Sequence, residues 1–481
     1  MTVTAPALLE HRFADTLPEL SLDWQAATVS APTALALDED LAAELGLDPD
    51  WLRSPAGLRF LVGNELPDGA RPVAQGYAGH QFGGYSPRLG DGRALLLGEI
   101  AAPDGTLRDV HLKGSGRTPF SRGGDGWATA GPMLREHLMA TAMFALGVPT
   151  TRSLAVTGTG QQVARESLLA GAVLTRMASS HLRIGTFQYA AALVAGEHAP
   201  ADLLGRLTRH AIDRHYPQLA EADRPALALL QAVCDAQARL VAQWMSLGFV
   251  HGVLNTDNVL ISGETIDYGP CAFTDTFDPS SVFSSIDEGG RYAFGHQPGI
   301  TQWNLARFAE ALLPSVDENI DTAVELASEV INTFPATYDD AYAGHLARKL
   351  GLDAVDRPLV KDLIELMQAE TADITLLFGD LTRVAGGEVG RFADRPAYTQ
   401  WLGRWLAHHP DPCVMAAANP VYIPRNHLVQ EALDAAITGD LEPFNRMLQV
   451  VREPFTARVG FEDYTKPAPQ DFGDYVTFCG T

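Results

Sequence analysis

The chain of 481 residues carries a formal net charge of −24, and this acidic balance excludes a general nucleic-acid binder, because neutralising a phosphate backbone requires clustered lysine and arginine. The length suits one large two-lobed domain or two to three small ones. No uncharged apolar stretch approaches the ~18 residues of a membrane span, and residues 1–20 lack the basic and apolar segments of a secretory signal. We therefore expect a cytoplasmic protein that binds neither nucleic acid nor membranes.

The first predicted elements are short helical stretches at 38–45 and 49–53. We interpret residues 1–60 as an N-terminal extension that packs on the core. An apolar run at 93–100 and the alternating segment 109–113 are separated by a turn, and this pattern predicts a β-hairpin.

The following segments continue the sheet and then become helical. A helix is predicted over 131–147, where apolar residues recur at helical spacing and a glycine ends the pattern. Further strands are predicted at 153–157 and 172–176. Beyond about residue 185 the pattern is helical apart from a loop and hairpin at 248–274, and helices are predicted at 224–247, 302–313, 318–333 and 360–377.

This order of elements predicts an α+β fold of the two-lobed, protein-kinase-like kind with an N-terminal extension. The β-rich N-lobe covers residues 61–184. The helical C-lobe covers residues 185–481, and it includes the loops described next and a C-terminal tail.

The most informative segment is 251–269, His-Gly-Val-Leu-Asn-Thr-Asp-Asn followed by an Asp-Tyr-Gly. Small-molecule kinases have His-Gly-Asp-Leu-x-x-x-Asn in this loop, where the Asp accepts the substrate proton and the Asn binds a metal. Asn258 and Asp267 match the metal ligands of that template, but Val253 occupies the position of the proton acceptor. Since valine cannot take a proton, the protein either has no chemistry or has different chemistry, for which Asp257 is the candidate carboxylate.

Two charges upstream complete the outline of a nucleotide site. Lys113 ends a predicted strand, where it can meet phosphate oxygens, and Glu136 lies early in the next helix, where it can pair with Lys113. Such residues are ordinarily surface charges. Their order relative to Asn258 and Asp267 favours the functional interpretation.

Glycine-rich segments flank these strands. Gly90-Asp91-Gly92-Arg93 precedes a strand, and its glycines let backbone N–H groups approach a phosphate. A plain hairpin turn explains this tetrapeptide equally well. A second glycine-rich stretch with arginines, 114–126, follows Lys113 where a kinase has only a short connection.

Taken together, these motifs resemble the selenoprotein O family, the YdiU-type protein adenylyltransferases, from about residue 10 to Cys479. The segments that carry the resemblance are Gly90–Arg93, His111–Gly116, Thr118–Arg122, Gly124–Gly126, Leu174–Arg176, Ser179–Arg183, Asn255–Asn258 and Ile266–Cys271. The resemblance implies a pseudokinase fold in which ATP lies reversed and AMP is transferred to Ser, Thr or Tyr hydroxyls of other proteins, with release of pyrophosphate. It also implies ATP and protein substrates as partners and leaves open whether UTP can replace ATP. We expect a monomer.

The resemblance also implies roles for individual residues. Asn258 and Asp267 hold a divalent metal, with Asp267 also near the nucleotide, and Asp257 accepts the proton. An amide and a carboxylate oxygen form a hard donor set that suits Mg²⁺ or Mn²⁺. The residues implied to line the nucleotide site are Gly90, Gly92, Arg93, Asp125 and Gly126.

AMP transfer places a further demand on charge. The leaving group is pyrophosphate, so cations are needed around the β and γ phosphates. Lys113, Arg176 and Arg183 can supply them, although an arginine such as Arg183 is ordinarily just solvated. Glu136 is expected to orient Lys113 without touching the nucleotide.

Cysteine usage suggests a redox hypothesis. The four cysteines form no Cys-x-x-Cys pair, which argues against a zinc site or a disulfide scaffold. Cys271 follows Asp267 by four residues, and Cys479 lies on a tail where relatives carry cysteine or selenocysteine, so the two thiols can form a reversible disulfide. The alternative is a buried, inert Cys271 and an inert terminal thiol.

Two other functions stay open. A small-molecule or protein kinase would transfer the γ-phosphoryl group, but Val253 argues against it. A noncatalytic nucleotide-binding pseudokinase would transfer nothing, but the joint presence of Lys113, Glu136, Asn258 and Asp267 argues against that.

Overall fold

The computed structural model describes residues 9–391, 395–473 and 475–477. Its strands are β1 Ser21–Asp23, β2 Thr33–Leu37, β3 Val73–Gln75, β4 Gly79–Gln81, β5 Gly84–Ser86, β6 Ala94–Ala101, β7 Leu107–Lys113, β8 Ala128–Thr129, β9 Arg152–Ala164, β10 Leu168–Ala178, β11 Phe249–Val250 and β12 Ala272–Phe273.

Helices occupy the intervals between the strands and most of the chain beyond residue 184. They are α1 Arg12–Thr16, α2 Glu39–Glu44, α3 Pro49–Arg53, α4 Pro55–Leu61, α5 Ala130–Ala145, α6 Ile184–Ala195, α7 Leu203–His215, α8 Pro225–Leu247, α9 Gln297–Val316, α10 Ile320–Lys349, α11 Arg357–Ala369, α12 Ile374–Ala385, α13 Pro396–Leu406, α14 Pro412–Ala418, α15 Asn426–Ile437 and α16 Glu442–Arg452.

One antiparallel sheet dominates the first part of the chain. Its strand order is β1-β3-β6-β7-β10-β9-β2, and β8 pairs with β10. Both edge strands, β1 and β2, come from the first 60 residues. The register places Lys113 opposite Ala94 of β6 and opposite Leu174 of β10, so this lysine lies between two neighbouring strands in the middle of the sheet.

Helix α5 lies on this sheet and joins it to the rest of the molecule. It contacts β9 and β10 on one side and the late helices α15 and α16 on the other. Leu134, Leu138 and Met139 are fully buried and share one apolar core with residues of the sheet and of the long helices α8, α9 and α10. Because the sheet on one side and the late helices on the other enclose α5, even its polar residues Arg135, Glu136 and His137 are buried.

A glycine stops the long helix α8 and starts the loop segment. Gly248 caps α8 with φ +75°, a left-handed conformation that glycine adopts without strain. The chain then forms β11, passes through residues 251–271 and returns as β12, which pairs antiparallel with β11. This short hairpin holds both ends of the loop that contains Asp257 and Asp267.

The α+β class is confirmed, and most predicted elements appear within a few residues of their bounds. The single helix predicted at 360–377 is wrong, because the chain breaks between α11 and α12. Thr371 has φ +46°, and the Asp373 side chain accepts from Leu376 N at 2.8 Å to start α12. The helix predicted at 318–333 continues to Lys349. Within the described ranges, no helix combines the length and the apolarity that crossing a membrane requires.

A buried arginine ties the end of the helical part to the hairpin. The Arg425 guanidinium lies 2.5 Å from Asp275 Oδ1 and 2.7 Å from Asp373 Oδ2, with a side chain only 1% exposed. The neighbouring Asn426 Nδ2 donates to Phe273 O of β12 at 2.8 Å. The start of α15 is thus fixed to the exit of the β11–β12 hairpin and to the start of α12.

We expect Arg425→Leu to lower the free energy of unfolding by about 3–5 kcal/mol, because it leaves two carboxylates facing each other without a buried counter-charge. The matched control is Arg404→Leu, which removes a pair with Asp362 whose side chains are 48% and 41% exposed. That change is expected to cost less than about 1 kcal/mol. Chemical denaturation compares the variants, and equal losses would contradict the assigned role of Arg425.

Candidate active site

Four charged side chains meet below the middle of the sheet. Lys113 Nζ lies 2.6 Å from Glu136 Oε2 and 2.5 Å from Asp267 Oδ1. Arg176 lies 3.1 Å from Glu136 Oε1 and 2.8 Å from the same Asp267 oxygen. The two cations and two carboxylates therefore form a closed, largely buried cluster.

The strand register explains why Lys113 and Arg176 meet. Arg176 of β10 pairs with His111 of β7, and residues paired across antiparallel strands share a face. His111 and Lys113 are two residues apart on β7, so they share that face as well. Glu136 reaches it from α5, which packs on the sheet.

Two properties of Asp267 suit this position, its backbone conformation and the ionisation of its carboxyl group. Its φ of +64° is a left-handed conformation that is uncommon for a residue other than glycine. Burial opposes ionisation, but the charges of Lys113 and Arg176 outweigh it and hold the pKa of Asp267 well below its usual range. The group is a carboxylate at neutral pH.

Asp257 lies in a different environment, under the β4–β5 hairpin. Its Oδ2 accepts from Gln81 Nε2 at 3.2 Å, whereas Oδ1 is buried and has no hydrogen-bond partner among the described residues. Burial raises the pKa of Asp257 to about 6. A carboxyl group with a raised pKa and a vacant acceptor oxygen has the properties of a proton acceptor.

The hairpin is fixed to the loop that carries Asp257. His80 N donates to Thr256 Oγ1 at 2.7 Å, and Phe82 N donates to Asn255 Oδ1 at 3.2 Å. Sequence analysis missed this hairpin, because each of its strands has only three residues and shows no usable periodicity. The signal that was present is the glycine pair Gly83-Gly84, of which Gly83 lies in the two-residue turn and Gly84 begins β5.

Asn258 and Asp267 fit a divalent metal by donor chemistry. Asn258 Nδ2 donates to Val253 O at 2.9 Å, which leaves its amide oxygen as an available ligand. No cluster of three or more His, Cys, Asp or Glu side chains suited to a metal occurs in the described part of the chain. A set of one amide and one carboxylate suits Mg²⁺, which keeps several waters and binds substrate phosphates.

The two glycine-rich segments are brought together beside Lys113. Thr118 Oγ1 donates to Asp91 O at 2.6 Å, and Ser121 Oγ donates to Gly92 O. A Cβ at Gly90 would lie 2.4 Å from the Phe120 ring, and one at Gly126 would lie 2.2 Å from backbone atoms of Gly116. Both glycines are needed for this close packing, whatever their contact with a nucleotide.

The remaining predicted residues differ in placement. The carbonyl of Arg93 accepts from Gly114 N at 2.7 Å, which keeps Arg93 next to the start of the second glycine-rich segment. Asp125 is half exposed and lies 2.8 Å from Arg165 of the β9–β10 hairpin, whose hydrogen bond lowers the pKa of Asp125. Among the described residues, the hydrogen bonds of Asp125 go to Trp127 N and Arg165 and not to the charge cluster.

Arg183 is buried rather than solvated. Its guanidinium lies 4.4 Å from the centre of the Tyr77 ring, and one of its nitrogens donates to His181 O at 3.1 Å. Its Nε is buried without a hydrogen-bond partner in the described ranges. The charge of Arg183 favours the ionised form of Asp257, whose pKa burial nevertheless raises, and also the ionised form of Asp267, so Arg183 lies within electrostatic reach of both carboxyl groups.

Sequence analysis also missed a buried histidine pair behind the cluster. The rings of His111 and His181 stack with centroids 4.0 Å apart. Arg176 Nε donates to His181 Nε2 at 3.2 Å, so His181 must carry its proton on Nδ1 and donate to Asp109 Oδ2 at 3.0 Å. The available signal was the alternation of Asp109, His111 and Lys113 along β7.

Of the two cysteines in the redox hypothesis, Cys271 and Cys479, the second lies outside the described residues. Cys271 is fully buried, and burial raises the pKa of its thiol to about 11. Thr477 Oγ1 donates to Pro270 O at 2.7 Å, so the described end of the tail reaches the residue before Cys271. The pairing of Cys271 with Cys479 stays a prediction.

Comparisons with known proteins agree on one family. The family model described as "Protein adenylyltransferase SelO" matches residues 7–452. A protein of Mycolicibacterium smegmatis named "Protein nucleotidyltransferase YdiU" is 58% identical, with 100% of both chains covered. Proteins with the same name from Pseudarthrobacter chlorophenolicus, at 56% identity with 98% of each chain covered, and Cereibacter sphaeroides, at 52% with 98% of this chain and 99% of the relative covered, are also similar.

We expect Gly79→Ala to lower nucleotide transfer to protein by up to about 100-fold, the scale of a 1 Å misplacement. The added Cβ would lie 2.6 Å from Asp257 Oδ1 and would displace that carboxylate. Gly84→Ala is the matched control in the same hairpin, where the Cβ meets only Gln81 O at 3.4 Å. Label transfer from ATP measures both variants, and similar rates for the two would argue against a role for the position of Asp257.

Proposed function

This chain belongs to the protein adenylyltransferase SelO family, and on that basis we propose that it transfers AMP from ATP to Ser, Thr or Tyr hydroxyls of target proteins, with release of pyrophosphate. ATP lies reversed in a protein-kinase-like cleft between a β-rich N-lobe, residues 61–184, and a helical C-lobe, residues 185–481. Residues 1–60 form the N-terminal extension. The central sheet, the α5 glutamate beside Lys113 and the loop between β11 and β12 support this fold.

The observation that carries the proposal is that two aspartates, Asp257 and Asp267, differ in ionisation and in hydrogen bonding. Asp267 is held ionised by Lys113 and Arg176, whereas Asp257 has a raised pKa and an acceptor oxygen without a partner. Val253, at the usual position of the proton acceptor, is apolar and buried. The two cations therefore lie beside Asp267, whereas the proposed proton acceptor Asp257 lies earlier in the same loop.

These groups suit attack at the α-phosphorus. Asp257 takes the proton of the hydroxyl group on the target protein. At the same time the oxygen of that hydroxyl group forms a bond to the α-phosphorus. The bond from the α-phosphorus to the bridging oxygen breaks, and the electron pair leaves with pyrophosphate. Lys113 and Arg176 stabilise the charge that develops on this leaving group, and Arg183 adds to the same field. Glu136 holds Lys113 in position.

Asn258 and Asp267 are the proposed ligands of Mg²⁺ or Mn²⁺, and such an ion, when bound, neutralises phosphate charge. The turn Gly90–Arg93 and residues Asp125 and Gly126 complete the nucleotide site in this proposal. In this proposal Lys113, Arg176 and Arg183 bind phosphate oxygens and do not contact the base. UTP is therefore a second candidate nucleotide.

The reaction class is tested with ATP labelled at the α or the γ position. Label from the α position is expected on protein together with released pyrophosphate, and label from the γ position would support a kinase instead. A protein that binds ATP and transfers neither label would be a noncatalytic pseudokinase.

The roles of the two aspartates are tested by substitution. Asp267→Ala should abolish transfer, because the metal loses its carboxylate. Asp257→Ala should reduce turnover by about 10²–10⁴-fold, the usual contribution of a general base, with little change in ATP affinity. Asp321→Ala on the exposed face of α10 is the control. Unchanged turnover of Asp257→Ala would remove this carboxylate from the mechanism.

The reversed orientation predicts a difference between ligands. Lys113→Ala and Arg176→Ala should weaken ATP binding far more than AMP binding, because both side chains face the β and γ phosphates in the proposed pose. Calorimetric titration of each variant with the two nucleotides measures this. Equal losses for ATP and AMP would contradict the pose.

A further inference from the structure

A cavity of about 720 Å³ lies at the far end of the sheet from Lys113. It is bounded by α1, the β6–β7 turn, one face of α7 and the segment after β10. Its charged lining is dominated by arginine, namely Arg12, Arg108, Arg206, Arg209 and Arg214, with Asp213 as the lining carboxylate. We call it the arginine cavity. Such a concentration is unusual in a chain with a net charge of −24.

Part of this positive charge is already neutralised. Arg206 lies 2.6 Å from Glu19 and 3.2 Å from Asp202, and Arg214 lies 2.9 Å from Asp109. Arg12 pairs with Glu10 at 2.5 Å, where both side chains are exposed.

Arg108 and Arg209 are the lining arginines without a direct ion pair. Neither has a carboxylate within 4 Å in the described part of the chain. A guanidinium nitrogen of Arg108 donates to Ser179 Oγ at 2.5 Å, and this hydroxyl donates to Glu264 Oε1 at 3.0 Å, so the nearest carboxylate is one hydroxyl group away. Arg209 is exposed on α7, one turn before Asp213. The cavity thus has two arginines without a direct ion pair beside three that are paired.

Two histidines in the lining supply hydrogen-bonding groups and no charge. Burial and the charge of Arg214 lower the pKa of His210 to about 4 and the pKa of His215 to about 3. Both rings are therefore neutral at pH 7. Among the described lining residues, no Phe, Tyr or Trp offers a surface on which a nucleobase could stack.

The arginine cavity is separate from the candidate active site. Arg108 is near the start of β7 and Lys113 is its last residue, five positions and about 17 Å apart at the usual strand rise. None of the charged residues assigned above to the nucleotide or the metal lines the cavity.

We propose that the arginine cavity binds a small soluble anion that carries two or more phosphate groups, of the class of inorganic pyrophosphate. Guanidinium groups bind phosphate oxygens through paired hydrogen bonds, and several of them around one cavity match several phosphates. The described lining has two neutral histidine rings but no Phe, Tyr or Trp, and arginine is its most frequent charged residue, so the phosphate groups rather than a nucleobase are the recognised part. The spacing of Arg206, Arg209 and Arg214 places all three on one side of α7, facing the β6–β7 turn.

Calorimetric titration of the full chain with inorganic pyrophosphate tests this. EDTA is included so that a metal does not promote binding at Asn258 and Asp267. Wild type is compared with Arg209→Glu, with Arg108→Gln, with Lys113→Met in the active site, and with the exposed Lys361→Glu on α11 as the control for charge reversal. Unchanged thermal unfolding midpoints show that each variant is folded.

The expected result is saturable binding that weakens at least about tenfold in Arg209→Glu and clearly in Arg108→Gln, and that persists in Lys113→Met and Lys361→Glu. Loss only in Lys113→Met would place the anion in the active site and overturn the proposal. Absence of binding, or equal weakening in Lys361→Glu, would overturn it as well. Citrate that binds as tightly as pyrophosphate would overturn the assignment to phosphate.

Discussion

The shared oxygen of Asp267 is the constraint on which the rest of the site depends. Lys113 Nζ and one guanidinium nitrogen of Arg176 both donate to Asp267 Oδ1, and the same two nitrogens also donate to the Glu136 carboxylate. Buried charges are tolerated only when they are compensated, so the four groups hold one another in place. The cluster therefore requires the sheet, helix α5 and the loop after β11 to hold their relative positions at the same time. The cluster therefore forms only when these three parts of the fold are correctly positioned relative to one another.

From this cluster a line of hydrogen bonds runs back through the sheet. Arg176 contacts His181, His181 contacts Asp109, and Asp109 accepts from Arg214 on α7. Every step is between buried or half-buried groups, so water does not replace these partners easily. The charge cluster of the candidate active site and the arginine cavity are consequently two ends of one polar network, although they lie at opposite ends of strand β7.

The sequence predicts those parts of the site that are carried by local pattern. The strand ending at Lys113, the helix containing Glu136 and the segment 251–269 each have a periodicity or a motif of their own. The partners of Arg176 depend on strand register, which brings together residues far apart in the chain, and no local pattern specifies it.

The break at Thr371 and the hairpin over Asp257 escaped prediction for a related reason. A single positive φ decides the first, and strands of three residues form the second. Arg183 shows the same limit, because an arginine in a loop is ordinarily exposed and only the tertiary contacts with Tyr77 and His181 bury it.

Arg135, the residue beside Glu136 on α5, also clamps the loop that follows Asp267. Its guanidinium donates to Gly269 O at 2.9 Å, to Cys271 O, and to the Tyr475 hydroxyl at 3.0 Å, a partner 340 residues later in the chain. Ribosomes add about 5–20 residues per second, so roughly 17–68 s separate the synthesis of the two residues. Throughout that interval the loop lacks one of the contacts that hold it. The contacts around the candidate site are therefore complete only after Tyr475 has been translated, long after the strand, helix and loop that carry its charged residues.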